Sequence, residues 1–337
     1  VNRSNLLAIV LVLLLFVLIL FAFRGEAPRI LRLIRGFPWP YFLIACLLAL
    51  LNYLIRFLRW EFLLRRTCPG PARSVSLLVF FSGLAMSISP GKLGEVLKAG
   101  LLRELSGVPL RRSAPVVVVE RLGDLIGVVL LAAIGLPAYR GGVHLVLPAL
   151  LIVVGVLALV YWERLWRGVL SGVERLPVLG RSAGALLDAY RSGRSLLTPS
   201  SLTVVIPLSV AAWFPECLAL WVVLRGLGID LSLLPTTFIY ATATLAGAVS
   251  FLPGGLGATE GSLAGLLMLR HVPGDAALAA TLLVRAATLW FAVALGLAAL
   301  ALTRLLVLRR AAAPLSVIER GAREGLPGEE TQKRLQP

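Results

Sequence analysis

Three stretches of this chain run the length of a membrane crossing with almost no aspartate, glutamate, lysine or arginine. Leu6 to Phe23 and Ala286 to Thr303 have none and also lack histidine, and Val143 to Trp162 contains only His144. A helix of about 20 apolar residues spans roughly 30 Å of hydrocarbon. In that medium every backbone N–H and C=O must be bonded within the protein, which leaves helices or closed barrels. Runs this long and unbroken select helices, so the expected fold class is an all-α polytopic membrane protein. Composition points the same way. The chain is 58% hydrophobic and 15% charged, against roughly 45–50% and 25% in soluble domains.

The formal net charge of +16 would indicate nucleic acid in a soluble protein. Beside membrane spans, basic loops set topology and meet anionic lipid, so no nucleic-acid partner is expected. Leu6–Phe23 has one basic residue before it and no small-x-small cleavage site, which favours a retained first helix over a signal peptide. Cys46, Cys68 and Cys217 are odd in number and lack metal-ligand spacing, so buried thiols are expected. His144 and His271 fall at loop edges, and there is no Walker loop, no catalytic triad order and no dinucleotide fingerprint. No enzyme activity and no cofactor are expected.

Apolar runs between basic breaks give full spans near residues 5–23, 38–58, 113–134, 143–162, 202–224 and 277–303. Residues 74–105 and 233–270 differ, each holding an apolar stretch, a Pro-Gly break and a shorter, more polar stretch. Helices stop before proline and glycine lets the chain reverse, so both are expected to be re-entrant helical hairpins. The arginine-rich linker 163–200 and the tail after Arg304 belong in the cytoplasm. Six crossings then put both termini there, together with loops 59–73 and 103–112. The loops at 135–142, 225–232 and 270–276 fall outside with one arginine each. Loop 24–38 disagrees, because Arg24, Arg29, Arg32 and Arg35 also land outside. Either the first helix sits differently or this loop is a partly buried interfacial segment. Residues 1–310 form the expected membrane domain, with 163–200 amphipathic and 311–337 a mobile tail.

The two broken regions resemble each other. Ser87-Ile-Ser-Pro-Gly-Lys-Leu-Gly-Glu95 parallels Ser250-Phe-Leu-Pro-Gly-Gly-Leu-Gly-Ala258, Val108-Pro109 parallels Val272-Pro273, and Glu120-Arg121 parallels Val284-Arg285. Repeat one covers about 38–134 and repeat two about 202–303. Parity opens the first hairpin to the cytoplasm and the second to the outside. That is an inverted-topology repeat, an architecture that holds a transport site near mid-membrane.

Charges left inside the spans and hairpins are Arg56, Lys92, Lys98, Arg121 and Arg285, with Glu95, Glu120, Asp124, Glu216 and Glu260. Each costs about 2.5–3.5 kcal/mol or more facing lipid at a helix centre, so they are expected to pair or line a wet cavity. In Pro90-Gly91-Lys92-Leu93-Gly94-Glu95, unpaired helix-start N–H groups and the lysine make an anion site. The alternative is a snorkelling lysine beside packing glycines. Glu120 and Asp124 share a helix face with Arg121 nearby, forming either a polar wall along a headgroup path or a structural salt bridge. Arg285 lacks acidic neighbours in sequence and is expected to be the freer cation. At the second turn, with Gly254 and Gly255, Thr259 is a candidate helix cap. Glu260 could stabilise that helix, meet an amine or carry a proton. Glu216 follows a kinking proline and is expected to be neutral or paired.

The signatures SPGKLGE…ERLGD and FLPGGLGATEG resemble the lysylphosphatidylglycerol synthase transmembrane (flippase-like) family over roughly residues 5–305. That resemblance implies two broken-helix halves around a lipid-accessible cavity that moves aminoacylated phosphatidylglycerol, and, for related members, association with glycosyltransferases. Synthases of the family carry a soluble aminoacyl-transferring domain after the membrane part; here only about thirty residues follow the last span. The expected function is lipid flipping, of an anionic phospholipid or a polyprenyl-phosphate-linked lipid, in a bacterial or archaeal inner membrane. The alternative is a non-transporting scaffold for a glycosyltransferase or lipid synthase.

Overall fold

The computed structural model describes residues 27–89, 96–139, 142–161 and 193–306, and among these the regular structure is entirely helical. The expected first span 5–23, the turn Pro90–Glu95, linker residues 163–192 and the tail 311–337 lie outside the described residues. The helices are α1 (Ala27–Arg35), α2 (Trp39–Thr67), α3 (Arg73–Leu84), α4 (Leu97–Ser106) and α5 (Leu110–Gly135). They continue with α6 (Val143–Tyr161), α7 (Pro199–Gly226), α8 (Leu233–Val249), α9 (Ala258–Met268) and α10 (Gly274–Leu306). Three of them, α2, α7 and α10, are long and apolar enough to cross a membrane.

Helix α2 starts on Pro38 and Pro40, whose fixed φ suits a first turn, and ends just before Pro69-Gly70. Leu47, Leu51, Leu54 and Leu58 recur at helical spacing on its exposed face, while Ala49, Tyr53, Arg56, Trp60 and Leu64 are buried. An exposed leucine stripe over a charged buried stripe inverts the soluble pattern and requires lipid outside. The sequence expectation ended this helix near residue 58 and gave Arg59, Arg65 and Arg66 to a loop. The helix instead runs to Thr67, and Arg59 is fully buried. It is tolerated there because carboxylates from α5 meet it.

The antiparallel pair α2/α7 forms the centre. Phe37 and Tyr41 pack on Gly226 at one end, and Arg66 donates to Ser201 at the other. In between, Asn52 donates to the Ala212 carbonyl at 2.7 Å, in the turn that Pro215 loosens by lacking an N–H. Helix α5 closes on this pair through Gly127, where a Cβ would lie 2.8 Å from the Ser209 backbone. Helix α10 meets α3 through Gly296, where a Cβ would lie 2.1 Å from the Ala85 nitrogen. Because that obstacle is backbone, Gly296→Ala is expected to destabilise by about 1–3 kcal/mol. Gly155→Ala, with nothing within 4 Å of the added methyl, should be neutral or stabilising by up to about 1 kcal/mol. Thermal unfolding of both variants in detergent checks the contrast.

The short helices come in two pairs. Trp60 on Ser76 and Arg304 on Glu104 tie α3 and α4 to the bundle end that holds Thr67 and Pro199. Gly135 against Leu234 and Phe238, and Arg270 on the Ala138 carbonyl, tie α8 and α9 to the opposite end. At 1.5 Å per residue, α3 and α4 are roughly 18 and 15 Å long, and α9 roughly 17 Å. The breaks after α3 and α8 meet inside the bundle: a Cβ on Gly254 would lie 3.4 Å from Cα of Ile88. Gly254 holds φ at 62°, a conformation glycine adopts without strain. Residues 24–38, expected as a loop, contain α1, which packs on the first part of α10.

Candidate functional site

Where the two breaks meet, a cavity of about 430 Å³ opens. Tyr53 and Arg56 of α2, Arg121 and Asp124 of α5, and Trp213 and Glu216 of α7 line it. Tyr240 of α8, Arg285 and Thr288 of α10, Ser87 and Ser89 of the first break and Gly254 and Gly255 of the second complete the wall. Helices α2, α5, α7 and α10 supply these residues from around their middles, and α8 supplies its second half down to its end at Val249. The cavity therefore lies deep in the bundle.

Asp124 is the hub of the charges on one side. Its Oδ1 accepts from Arg59 at 2.6 Å and from Trp213 Nε1 at 3.0 Å; its Oδ2 lies 2.9 Å from Arg121 and 3.5 Å from Arg56. One helical turn earlier, Glu120 accepts from Lys98 at 2.6 Å, and Arg59 stands 4.0 Å from its other oxygen. Arg59 also donates to Ser209 at 2.6 Å. The Lys98 ammonium lies 4.7 Å above the Trp60 ring and 5.1 Å from that of Phe80, which adds cation–π attraction in a desolvated place. Arg59 between Glu120 and Asp124 lets two carboxylates share one buried face. Among the described residues, four cations surround these two anions.

The other side is built around Arg285. Its Nε donates to Glu260 at 2.6 Å and its Nη2 to the Gly254 carbonyl at 2.7 Å. The second Glu260 oxygen accepts from the Gly257 N–H at 2.7 Å, so Glu260 closes the first turn of α9 while holding Arg285. Two expectations are corrected here. Arg285 is not the freer cation, since its carboxylate partner arrives from another helix. Thr259 is not the cap: Gly257, at φ 84°, occupies that position and Thr259 packs under Gly247. Glu216 accepts from the Tyr240 hydroxyl at 2.6 Å. Directly after Arg285, residues Ala286–Trp290 form a π-turn, a feature frequent at functional sites. The Thr288 carbonyl within it accepts from Tyr53.

Among the described residues, the exposed part of the cavity wall is largely apolar. Val249, Phe251 and Leu252 line it and are exposed, Phe251 at 73%. Phe251 has φ 52°, unfavourable for an aromatic residue.

Of the residues singled out from sequence, Arg121, Asp124, Glu216, Gly254, Gly255 and Arg285 surround this one cavity. Glu260 stands behind Arg285 and Glu120 behind Asp124, neither on the wall. Gly91, Lys92, Gly94 and Glu95 lie outside the described residues.

A family model for the lysylphosphatidylglycerol synthase transmembrane region matches residues 5–296. The chain belongs to that family. Within curated relatives it is similar to a UPF0104 membrane protein of Methanothermobacter thermautotrophicus, 33% identical over 305 residues, covering 84% of this chain and 89% of the relative. A second UPF0104 membrane protein of that organism is 25% identical over 324 residues, 89% of this chain and 95% of its own. One of Methanocaldococcus jannaschii is 26% identical over 201 residues, 59% and 85% respectively. The family ties the chain to a membrane lipid-related function, and the chain is a multi-pass membrane protein.

Sequence reasoning named Arg56 among the charges expected to pair or line a wet cavity, but it left out Tyr53, Arg59, Trp213 and Tyr240. A signal existed for two of these, Tyr53 and Arg59. Tyr53, Arg56 and Trp60 share one helical face in an otherwise leucine-rich span, and Arg59 adjoins it. Trp213 and Tyr240 carry no such mark, because an aromatic residue in a membrane helix usually faces lipid or core.

Proposed function

We propose that this protein moves an anionic lipid, a phospholipid or a polyprenyl-phosphate-linked lipid, between the leaflets of a cytoplasmic membrane, with both termini in the cytoplasm. The observation that carries the reading is the mid-bundle cavity, where Arg56, Arg121 and Arg285 converge beneath an apolar mouth. Guanidinium groups bind phosphate through parallel N–H donors, and an exposed apolar mouth suits acyl or isoprenoid chains. A site for a small aqueous solute would have a polar rim.

We read the chain as two inverted repeats with six crossings and two re-entrant hairpins, α3/α4 and α8/α9, entering from opposite faces. Several features support this. Each half runs long helix, short helix, break, short helix, Val-Pro, long helix, and both α5 and α10 start directly after the proline. Thr288 stands to Asp124 as Arg285 stands to Arg121, and the contacts cross over: Trp213 of α7 bonds Asp124, while Tyr53 of α2 bonds Thr288. Helix breaks that face a shared interior cavity meet the condition under which irregular backbone is tolerated at membrane depth. The headgroup enters at the first turn, where Gly91, Lys92, Gly94 and Glu95 receive it from the cytoplasmic side, and passes between Arg121 and Arg285. Glu216 and Glu260 are the candidates to meet a headgroup amine or carry a coupling proton.

The test is a proteoliposome assay with a fluorescent phosphatidylglycerol, read by the fraction of headgroup accessible to an outside quencher. Accessibility rising beyond the half found in protein-free vesicles supports transport. No rise, together with a glycosyltransferase or lipid synthase that copurifies, would support the scaffold reading instead.

A further inference from the structure

Outside the cavity, the strongest unexplained charge is on α1. This helix, Ala-Pro-Arg-Ile-Leu-Arg-Leu-Ile-Arg, is sharply two-sided. Ile30 is buried, and Leu33 and Ile34 pack on the core, while Arg29, Arg32 and Arg35 are exposed along the opposite arc. Among the described residues none of the three has a carboxylate within ion-pair distance. The other described arginines at this end are engaged: Arg225 meets Asp230 at 2.8 Å, and Arg270 donates to the Ala138 carbonyl and stands over Tyr139. The helix dipole favours Arg32 and Arg35 in the last turn but does nothing for Arg29, and like charges at this spacing repel.

We propose that α1 is a binding surface for anionic phospholipid headgroups, separate from the cavity, with Arg29, Arg32 and Arg35 as its phosphate contacts. The neighbours of the helix fix its depth. Phe37 is buried against Gly226. Trp39 and Tyr41, both exposed, follow at once, and the lipid-facing residues of α2 begin at Leu43, Ile44 and Leu47. Exposed Trp and Tyr at the start of a span mark the level of the headgroups. The guanidinium groups just beyond them are therefore level with lipid phosphates, to which they bind bidentately. This bundle end also carries the loops with one arginine each. A cluster of three there runs against the tendency of arginine to collect on the other face, and lipid phosphate supplies a counter-charge that the described residues do not. The surface stands whether or not the cavity transports lipid.

The experiment is native mass spectrometry of the full chain in detergent, titrated with phosphatidylglycerol and phosphatidylcholine of equal chain length. The wild type should retain phosphatidylglycerol preferentially. R29Q/R32Q/R35Q should weaken that retention by about tenfold or more, and R29K/R32K/R35K should keep most of it. R121Q/R285Q, altered only in the cavity, should keep the component that the glutamine triple variant loses. Unchanged phosphatidylglycerol retention in the glutamine variant would overturn the proposal, as would equal loss of both lipids or a wild type without preference. A wild type without preference that instead captures an acidic protein through α1 would replace lipid by a protein partner. None of these outcomes bears on transport, which the proteoliposome assay reports separately.

Discussion

Arg285→Gln is expected to slow headgroup translocation by about ten- to a hundredfold, the loss of one charge-assisted contact of roughly 1.5–3 kcal/mol. Arg285 lines the cavity, and its Nε–H and one Nη2–H are held by Glu260 and the Gly254 carbonyl. Those bonds fix the guanidinium plane and leave the Nη1 and second Nη2 donors for a phosphate, so the second break orients the side chain that would meet the headgroup. Glutamine can still donate to the Gly254 carbonyl but cannot meet a phosphate with a charged fork. Arg285→Lys separates charge from geometry: it keeps the first and loses the paired donors, and should fall between. Glu260→Gln is the complementary variant. It leaves Arg285 its charge, weakens the hold on the turn, and should change the rate by less than Arg285→Gln does. Quencher-accessibility rates for the three variants in proteoliposomes check this order. Equal rates for wild type and Arg285→Gln would remove Arg285 from the path.

Asp124→Ala should have the largest effect on stability, about 3–5 kcal/mol, measured as a lower unfolding temperature and lost monodispersity in detergent. Asp124 answers Arg59, Arg56 and Arg121 together and accepts from Trp213. Its removal leaves three guanidinium groups crowded in a desolvated place, with Glu120, 4.0 Å from Arg59, as the carboxylate still in ion-pair range among the described residues. Asp124→Asn keeps an acceptor for Trp213 or Arg59 and should cost less. Glu104, whose pair with Arg304 is exposed, supplies the contrast. Its replacement by Gln should shift stability by no more than about 0.5–1 kcal/mol, because water and ions screen that pair.

Between sequence and structure the helices differ mainly at their ends. Pro38 and Pro40, Pro109, Pro199 and Pro273 stand where α2, α5, α7 and α10 begin, so those starts are local chemistry. The far end of α2 is not local. Arg59, Arg65 and Arg66 look like the edge of a membrane span, and only the arrival of Asp124 and Ser209 makes a buried arginine admissible. Arg285 shows the same limit. Its own helix offers no acid nearby, and the partner comes from α9, a pairing that no periodicity encodes.

What the amino-acid order determined alone was which stretches need lipid, where proline and glycine interrupt them, and which charges would have to be hidden, since hydrophobicity and backbone freedom belong to each residue locally. Which arginine meets which carboxylate, and that Ile88 and Gly254 touch across a cavity, was decided only by tertiary packing, because those energies exist only between groups brought together from distant parts of the chain.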